Sequence, residues 1–137
     1  MVKRALITGI TGMVGSHLAD YLLAQTDWEI FGMSRWRSSL DNIKHLINRI
    51  EKKDRLELIY GDLNDYVSLQ HVIENSKPDY VFHLAAQSYP KTSFESPLDT
   101  LNTNILGTNR ILEALRKSSY KDSIIHICAS SEVFGRV

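Results

Sequence analysis

The chain has 137 residues, 43% of them hydrophobic, which is enough for one domain with its own core. Its 16 basic residues balance 16 acidic ones, so net charge alone favours neither nucleic acid nor another polyanion as a partner. No apolar run reaches the roughly 20 residues of a membrane span, no signal-peptide pattern follows Met1, and the single cysteine, Cys128, excludes an internal disulfide framework. We therefore expect a cytoplasmic protein with no nucleic-acid or membrane partner.

Short apolar runs of strand length alternate along the chain with segments of helical period. A strand is predicted at 5–7, followed by a helix over 13–24 in which Val14, Leu18, Tyr21 and Leu22 recur at steps of three and four. The other predicted elements are a strand at 29–33, a helix over 41–50, a strand at 56–60, a helix that Asp65 caps, a strand at 79–84, a helix over 97–116 and a strand at 123–129. This alternation predicts an α/β fold, a doubly wound parallel sheet of order 3-2-1-4-5 with ligands at the carboxyl ends of its strands.

The sequence stops at Val137, directly after the fifth predicted strand. A strand that is unpaired on its outer side leaves a bare apolar edge. We therefore expect residues 1–137 to be the N-terminal part of a longer protein, with the remaining strands and a substrate domain after Val137.

Three glycines at a spacing of three follow the first strand and lead into the first helix: Gly9, Gly12 and Gly15. Such a turn lets the backbone approach a pyrophosphate, and the helix N-terminus offers unpaired N–H groups and partial positive charge. The alternative is a turn kept only for packing. Because the strand-turn-helix context is present, we predict that 1–137 is a dinucleotide-binding Rossmann domain. The predicted cofactor contacts in this turn are Gly9, Thr11, Gly12, Met13, Val14 and Gly15.

The G-x-x-G-x-x-G spacing resembles the extended short-chain dehydrogenase/reductases of the NAD-dependent epimerase/dehydratase family. Four further segments are similar to motifs of that family and occur in the same order: 62–63, 83–88, 104–108 and 130–135. The resemblance covers essentially the whole chain. It implies further cofactor contacts from Asp62, Leu63, Leu84, Ala85, Ala86, Ser88 and Asn104.

The end of the second strand bears on which nicotinamide cofactor binds. NAD-preferring enzymes usually carry an acid there for the adenosine 2′-hydroxyl, but residues 33–39 contain none. Two arginines and neighbouring serines suit a 2′-phosphate, since a guanidinium can pair with it bidentately. We expect NADP, held by Arg35 and Ser39, with NAD as the alternative; a merely solvated loop is the other interpretation. Trp36 has no counterpart in this scheme.

Two segments are similar to the GDP-mannose 4,6-dehydratases within this family. Residues 86–94 resemble their A-Q-S-h-v-k-x-S-F run, and Ser130 and Glu132 stand at the positions of the catalytic hydroxyl and acid. The resemblance implies that Ser88, Lys91, Ser131 and Glu132 contact substrate. Because Tyr89-Pro90 departs from that group's His-Val, the expected substrate is GDP-mannose or a related GDP-heptose.

The resemblance also implies a reaction in three steps. Hydride leaves C4 of the sugar, Glu132 removes the C5 proton while water leaves C6, and hydride returns to C6. The first step needs a Tyr-x-x-x-Lys pair, which the 137 residues lack, so we expect it after Val137. The full-length enzyme is expected to be a homo-oligomer, a dimer or a tetramer. Alternatives are a nucleotide-sugar epimerase or 4-ketoreductase of this family, or a non-catalytic NADP-binding protein.

Metal and hydrolytic chemistry find little support in the sequence. The five histidines have no ligand spacing, and His126 and Cys128 are predicted to pack in the core. No G-x-S-x-G nucleophile elbow occurs. We therefore predict no metal site.

Overall fold

A computed structural model describes residues 2–135, apart from the side chains of Ser131 and Glu132. Its centre is a sheet of parallel strands in the order β3-β2-β1-β4-β5, which confirms the predicted topology. The strands are β1 (Arg4–Thr8), β2 (Glu29–Ser34), β3 (Leu56–Tyr60), β4 (Tyr80–His83) and β5 (Ile124–Ile127).

Helices connect the strands and cover the sheet. They are α1 (Met13–Gln25), α2 (Ile47–Glu51), α3 (Tyr66–Ser76), α4 (Pro90–Glu95), α5 (Pro97–Leu101) and α6 (Gly107–Lys117). Two 3-10 turns, Asp41–Leu46 and Ser131–Phe134, and a π turn, Asn102–Leu106, complete the described part.

Both faces of the sheet are buried, and β1 shows how the sequence achieves this. Ala5 and Ile7 face the cluster around α1 and the 3-10 turn, whereas Leu6 faces the cluster beneath α3 and α6; all three are fully buried. Side chains alternate between the two faces of a strand, so a strand covered on both sides needs a continuous apolar run. This explains why β1 has no polar alternation.

The N-cap of α3 is as predicted, and the helix predicted over 13–24 is present as α1. The Asp65 carboxylate accepts hydrogen bonds from the backbone N–H groups of Val67 and Ser68. Of the four residues whose spacing predicts α1, Leu22 is buried and Leu18 is half-buried, whereas Val14 is 55% exposed and Tyr21 is 63% exposed. The buried residues of α1 are Gly15, Ser16, Ala19, Leu22 and Leu23, so small residues and leucines share its buried face.

The two other long predicted helices are interrupted. Residues 41–50 begin as a 3-10 turn with a non-helical Ile43 and become helical only in α2. The segment 97–116 contains the π turn between α5 and α6. In addition, α4 was not predicted, because its six residues show no apolar periodicity.

Strand β5 is largely exposed in the described part of the chain. His126 and Cys128 are both exposed, so the prediction that they pack in the core was wrong. Within residues 2–135, no helix has the length and apolar character required to cross a membrane. Among the described side chains, no three His, Cys, Asp or Glu residues gather into a potential metal site.

Candidate functional site

The carboxyl ends of four adjacent strands meet at one edge of the sheet. Thr8, the last residue of β1, pairs in register with Met33 of β2 and with His83 of β4. His83 in turn pairs with Ile127 at the end of β5. The segments that follow these strands therefore share this edge, where ligands bind in doubly wound sheets.

The glycine turn lies between β1 and α1 and is closely packed. Gly9 has φ +73° and donates its N–H to the Met33 carbonyl at 3.2 Å. A Cβ on Gly9 would come within 3.0 Å of both the N and the Cα of Ala85. A Cβ on Gly15 would lie 2.8 Å from the Cα of Ile10. The structure therefore brings the predicted contacts Gly9 and Ala85 directly together, and backbone packing leaves no room for a side chain at Gly9 or Gly15. We call the turn formed by residues 9–15 the glycine cradle.

The N-terminus of α1 opens from this cradle. Its N-cap, Gly12, provides no side-chain acceptor for the first helical N–H groups. Met13 and Val14 are exposed, and the Thr11 carbonyl is held by the Asn42 side-chain amide at 2.9 Å. A helix N-terminus with free N–H groups favours an anion such as a phosphate.

The segment after β2 presents two arginines to solvent. Arg35 is exposed, and no described residue pairs with its guanidinium. The guanidinium of Arg37 lies 4.6 Å from the ring centroid of the exposed Trp36. The Ser39 hydroxyl donates to the Asp41 carboxylate at 2.5 Å, so this predicted cofactor contact already has a partner. Hydrogen bonds from Lys44 and Ser39 lower the pKa of that carboxyl.

Ser34 is not among the predicted site residues, although it is the last residue of β2. Its side chain is 4% exposed, and its hydroxyl has no hydrogen-bond partner among the described residues. It lies on the same face of β2 as Gly32, where a Cβ would come within 2.7 Å of the Ile10 side chain in the glycine turn. A buried hydroxyl without a partner is unfavourable, and here it lies beside the predicted adenosine site.

The predicted cofactor contacts after β3 already have partners within the protein for some of their groups. An Asp62 carboxylate oxygen accepts the Asn64 N–H at 2.9 Å. The Leu63 side chain is buried in the core beneath Gly107, and its carbonyl accepts from Arg110 at 3.1 Å. For Leu63, the backbone N–H is therefore the polar group left to contact a ligand.

A chain of hydrogen bonds joins β1, β4 and α6. The Thr8 hydroxyl lies 2.9 Å from Nδ1 of His83 and accepts the N–H groups of Leu84 and Ala85, each at 3.1 Å. On the other side of the ring, Nε2 lies 3.1 Å from the Thr108 hydroxyl. His83 is 3% exposed, and its burial lowers the pKa of the imidazole below the ordinary value. Neither Thr8 nor Thr108 is among the predicted site residues; the signal for Thr8 is its place before Gly9.

The predicted contact Asn104 is bonded to the loop after β4. Its side-chain oxygen accepts the Gln87 N–H at 2.8 Å, and its amide donates to the Gln87 carbonyl at 2.9 Å. The Gln87 side chain in turn donates to the Tyr89 carbonyl and the Thr100 hydroxyl. Asn104 therefore fixes the loop that carries Ala86 and Ser88, both of which are exposed.

The predicted substrate and catalytic residues lie on two short segments. Lys91 in α4 is exposed and pairs with Glu95 at 3.6 Å. Ser130 follows β5, and its carbonyl accepts the Val133 N–H at 3.3 Å. The backbone of Ser131 and Glu132 forms a 3-10 turn, whereas their side chains lie outside the described part of the chain, so these two predictions stay untested.

The parallel sheet of order β3-β2-β1-β4-β5, with a glycine cradle at its carboxyl edge, defines an extended short-chain dehydrogenase/reductase with a Rossmann sheet. Residues 6–137 match the family described as GDP-mannose 4,6 dehydratase, and the chain belongs to that family.

Curated relatives support this assignment. A GDP-mannose 4,6-dehydratase of Vibrio cholerae is 38% identical over 143 residues, covering 100% of this chain and 38% of the relative. The GDP-mannose 4,6 dehydratase of Drosophila melanogaster is 39% identical over 140 residues, covering 98% of this chain and 35% of the relative. The chain thus spans little more than a third of the length of these proteins.

Solved structures share the fold. The PbgP3 protein of Burkholderia pseudomallei has a TM-score of 0.79 and 26% identity, covering 98% of this chain and 41% of that one. The UDP-glucose 4-epimerase of Thermus thermophilus, solved in complex with NAD, has a TM-score of 0.69 and 29% identity, covering 83% of this chain and 34% of that one.

Proposed function

We propose that the whole protein is a GDP-sugar 4,6-dehydratase, a hydro-lyase that converts GDP-mannose or a related GDP-heptose to the 4-keto-6-deoxy sugar. One observation carries the proposal. In a chain whose residues 6–137 match the GDP-mannose 4,6 dehydratase family, β5 brings Ser130 to the same sheet edge as the glycine cradle.

We infer that NADP binds at this edge of the sheet, between the glycine turn (residues 9–15) and the loop 84–88; we call this proposed site the cofactor groove. Three features of the described residues fit a dinucleotide: a glycine turn without side chains at the carboxyl edge of the sheet, an uncapped helix N-terminus, and the buried, unpaired hydroxyl of Ser34. The exposed guanidinium of Arg35 fits a 2′-phosphate. The epimerase of T. thermophilus, solved with NAD, supports a nicotinamide cofactor for this fold. Such a cofactor supplies the hydride acceptor and donor of the reaction.

The chain's own residues would then act on the sugar as follows. The Ser130 hydroxyl positions the C4 oxygen by a hydrogen bond. The Glu132 carboxylate takes the proton from C5 and delivers a proton to the C6 hydroxyl, which leaves as water, so the carboxylate is regenerated. Ser88, Lys91 and Ser131 hold the substrate.

An epimerase of the same fold is the second candidate, and the structural likeness to the UDP-glucose 4-epimerase of T. thermophilus favours it. An epimerase inverts a carbon without losing water. It therefore has no need for the proton transfer at C5 and C6 that we assign to Glu132.

The proposal is tested by incubating the full-length protein with NADP and GDP-mannose and following the sugar by NMR. A 4-keto-6-deoxy product is expected. A parallel reaction with a GDP-heptose shows which of the two GDP-sugars is the better substrate. An epimerised GDP-sugar would favour the second candidate. NADP binding without any sugar product would indicate a non-catalytic protein and overturn the dehydratase proposal.

A further inference from the structure

We propose that His83 is a positioning residue for the cofactor groove. In its neutral form, with the proton on Nε2, it connects the strand before the glycine turn to the loop 84–87 and to α6. The inference rests on the proposed cofactor site. It adds a role for Thr8, His83 and Thr108, which the family match does not assign.

The direction of each hydrogen bond follows from the groups involved. The Thr108 hydroxyl donates its only proton to the Asn104 carbonyl at 2.7 Å, because a carbonyl can only accept. It must therefore accept from His83, so Nε2 carries a proton. Nδ1 is then a bare acceptor, and the Thr8 hydroxyl donates to it.

This arrangement uses every donor and acceptor of the Thr8 hydroxyl. Its proton goes to His83, and its two lone pairs accept the N–H groups of Leu84 and Ala85. Protonating Nδ1 would reverse the bond to His83. The Thr8 oxygen would then face three donors with two lone pairs, and its own proton would lose its acceptor inside a buried site. The surroundings therefore favour the neutral ring.

The connected atoms belong to both segments that flank the proposed cofactor site, the glycine turn and the loop 84–88. Thr8 directly precedes Gly9, and its hydroxyl accepts the Ala85 N–H. The same Ala85 backbone packs so closely against Gly9 that a side chain at position 9 would clash with it. On the far side, the Asn104 residue that accepts from Thr108 also fixes Gln87 through two hydrogen bonds. His83 is thus the link between the phosphate turn and the loop that faces it.

A buried histidine can also serve stability alone, and the choice of variants separates the two roles. Thr108→Val keeps the shape of the side chain but can neither accept from His83 nor donate to Asn104. Thr108→Ser restores the hydroxyl. Thr26→Val is the matched control, since Thr26 likewise donates to a helix carbonyl, that of Leu22, and accepts one N–H, that of Trp28, at the end of α1 distant from the groove.

In the full-length protein, we expect Thr108→Val to weaken NADP binding about tenfold, as measured by calorimetric titration. Thr108→Ser should bind within about twofold of wild type. Thr108→Val and Thr26→Val should lower the melting temperature by similar amounts, because each loses comparable hydrogen bonds. Thr26→Val should nevertheless leave NADP affinity unchanged. Equal affinities for wild type and Thr108→Val, or an equal loss in Thr26→Val, would overturn the positioning role while leaving the cofactor proposal intact.

A second readout is independent of turnover. Nitrogen-15 NMR of labelled histidine should show His83 as the neutral Nε2–H tautomer at neutral pH. A Nδ1–H tautomer or an imidazolium at that pH would contradict the hydrogen-bond directions. Failure of the wild-type protein to bind any nicotinamide dinucleotide would instead refute the cofactor proposal, and the positioning role with it.

Discussion

The Cα of Gly9 faces the backbone of Ala85 so closely that an added Cβ would lie 3.0 Å from both the N and the Cα of Ala85. One residue belongs to the turn after β1 and the other to the loop after β4, 76 positions later in the chain. This contact fixes the distance between the two segments that flank the proposed cofactor site. It also explains why the first glycine of the motif is required for more than its φ of +73°.

Gly9→Ala should therefore lose both stability and cofactor binding. We expect its free energy of unfolding to fall by about 1–3 kcal/mol from backbone strain, with a further loss from the contact with Ala85. Gly135→Ala is the control, because Gly135 has a similar φ of +71° but no neighbour within 4 Å of an added Cβ among the described residues. Denaturant unfolding of both variants measures the difference; equal losses would mean that the Ala85 contact contributes nothing.

Ser34→Ala should separate apo stability from cofactor binding. Because the Ser34 hydroxyl is buried without a partner in the described part of the chain, its removal should leave the melting temperature unchanged or slightly raised. NADP affinity should fall about fivefold or more if that hydroxyl binds the adenosine end. Ser76→Ala is the control, since the Ser76 hydroxyl is also buried but donates to the Val72 carbonyl at 2.7 Å. This variant should have a lower melting temperature and an unchanged affinity for NADP. A Ser34→Ala protein with wild-type affinity would exclude a cofactor contact.

Arg35→Ala should weaken NADP(H) binding selectively. The exposed guanidinium of Arg35 is the group best suited to the 2′-phosphate, and loss of one charge-assisted contact costs about 1.5–3 kcal/mol. Affinity for NAD(H), which has no 2′-phosphate, should change little. Parallel fluorescence titrations with both cofactors check this, and a wild-type preference for NAD(H) would refute the NADP assignment.

Stability should depend on pH through His83. Burial lowers the pKa of this imidazole in the folded state below 6.5, so the unfolded chain binds the proton more readily. The contribution of His83 to the free energy of unfolding is therefore constant above about pH 6.5 and is lost progressively as the pH falls towards the pKa of the folded state. Denaturant unfolding of wild type and His83→Gln from about pH 8 to about pH 5 should show a steeper decline for wild type. Parallel curves would contradict the lowered pKa.

The strand order could be predicted because it depends on local signals: five short apolar runs, intervening helical segments and a glycine turn in the right place. Helix faces were less predictable. Helix α1 buries small residues such as Ala19 together with Leu22, whereas Val14 and Tyr21 are exposed. A pattern based on large apolar residues cannot detect this.

The site was predicted as a set of segments but not as a set of contacts. The clamp between Asn104 and Gln87 joins residues 17 apart, and it lies at the π turn that interrupts a helix predicted to be continuous. Likewise, nothing local indicates that the Ser34 hydroxyl is buried, since its burial is set by elements packed around β2. Such features arise from tertiary structure.

Glu132→Gln in the full-length protein should stop the reaction after its first step. The amide keeps the size of the carboxylate but cannot take the C5 proton, whereas oxidation at C4 does not require that group. Reduced cofactor should therefore accumulate with GDP-mannose, and the overall rate should fall by about 10²–10⁴. Glu74→Gln makes the same chemical change at an exposed position of α3 and should behave as wild type. Stopped-flow absorbance of the reduced cofactor, together with NMR of the sugar, measures both steps. If Glu132→Gln forms the 4-keto-6-deoxy product at a rate near that of wild type, Glu132 is not the base of the reaction. If it forms an epimerised GDP-sugar at an unchanged rate, the protein is an epimerase and not a dehydratase.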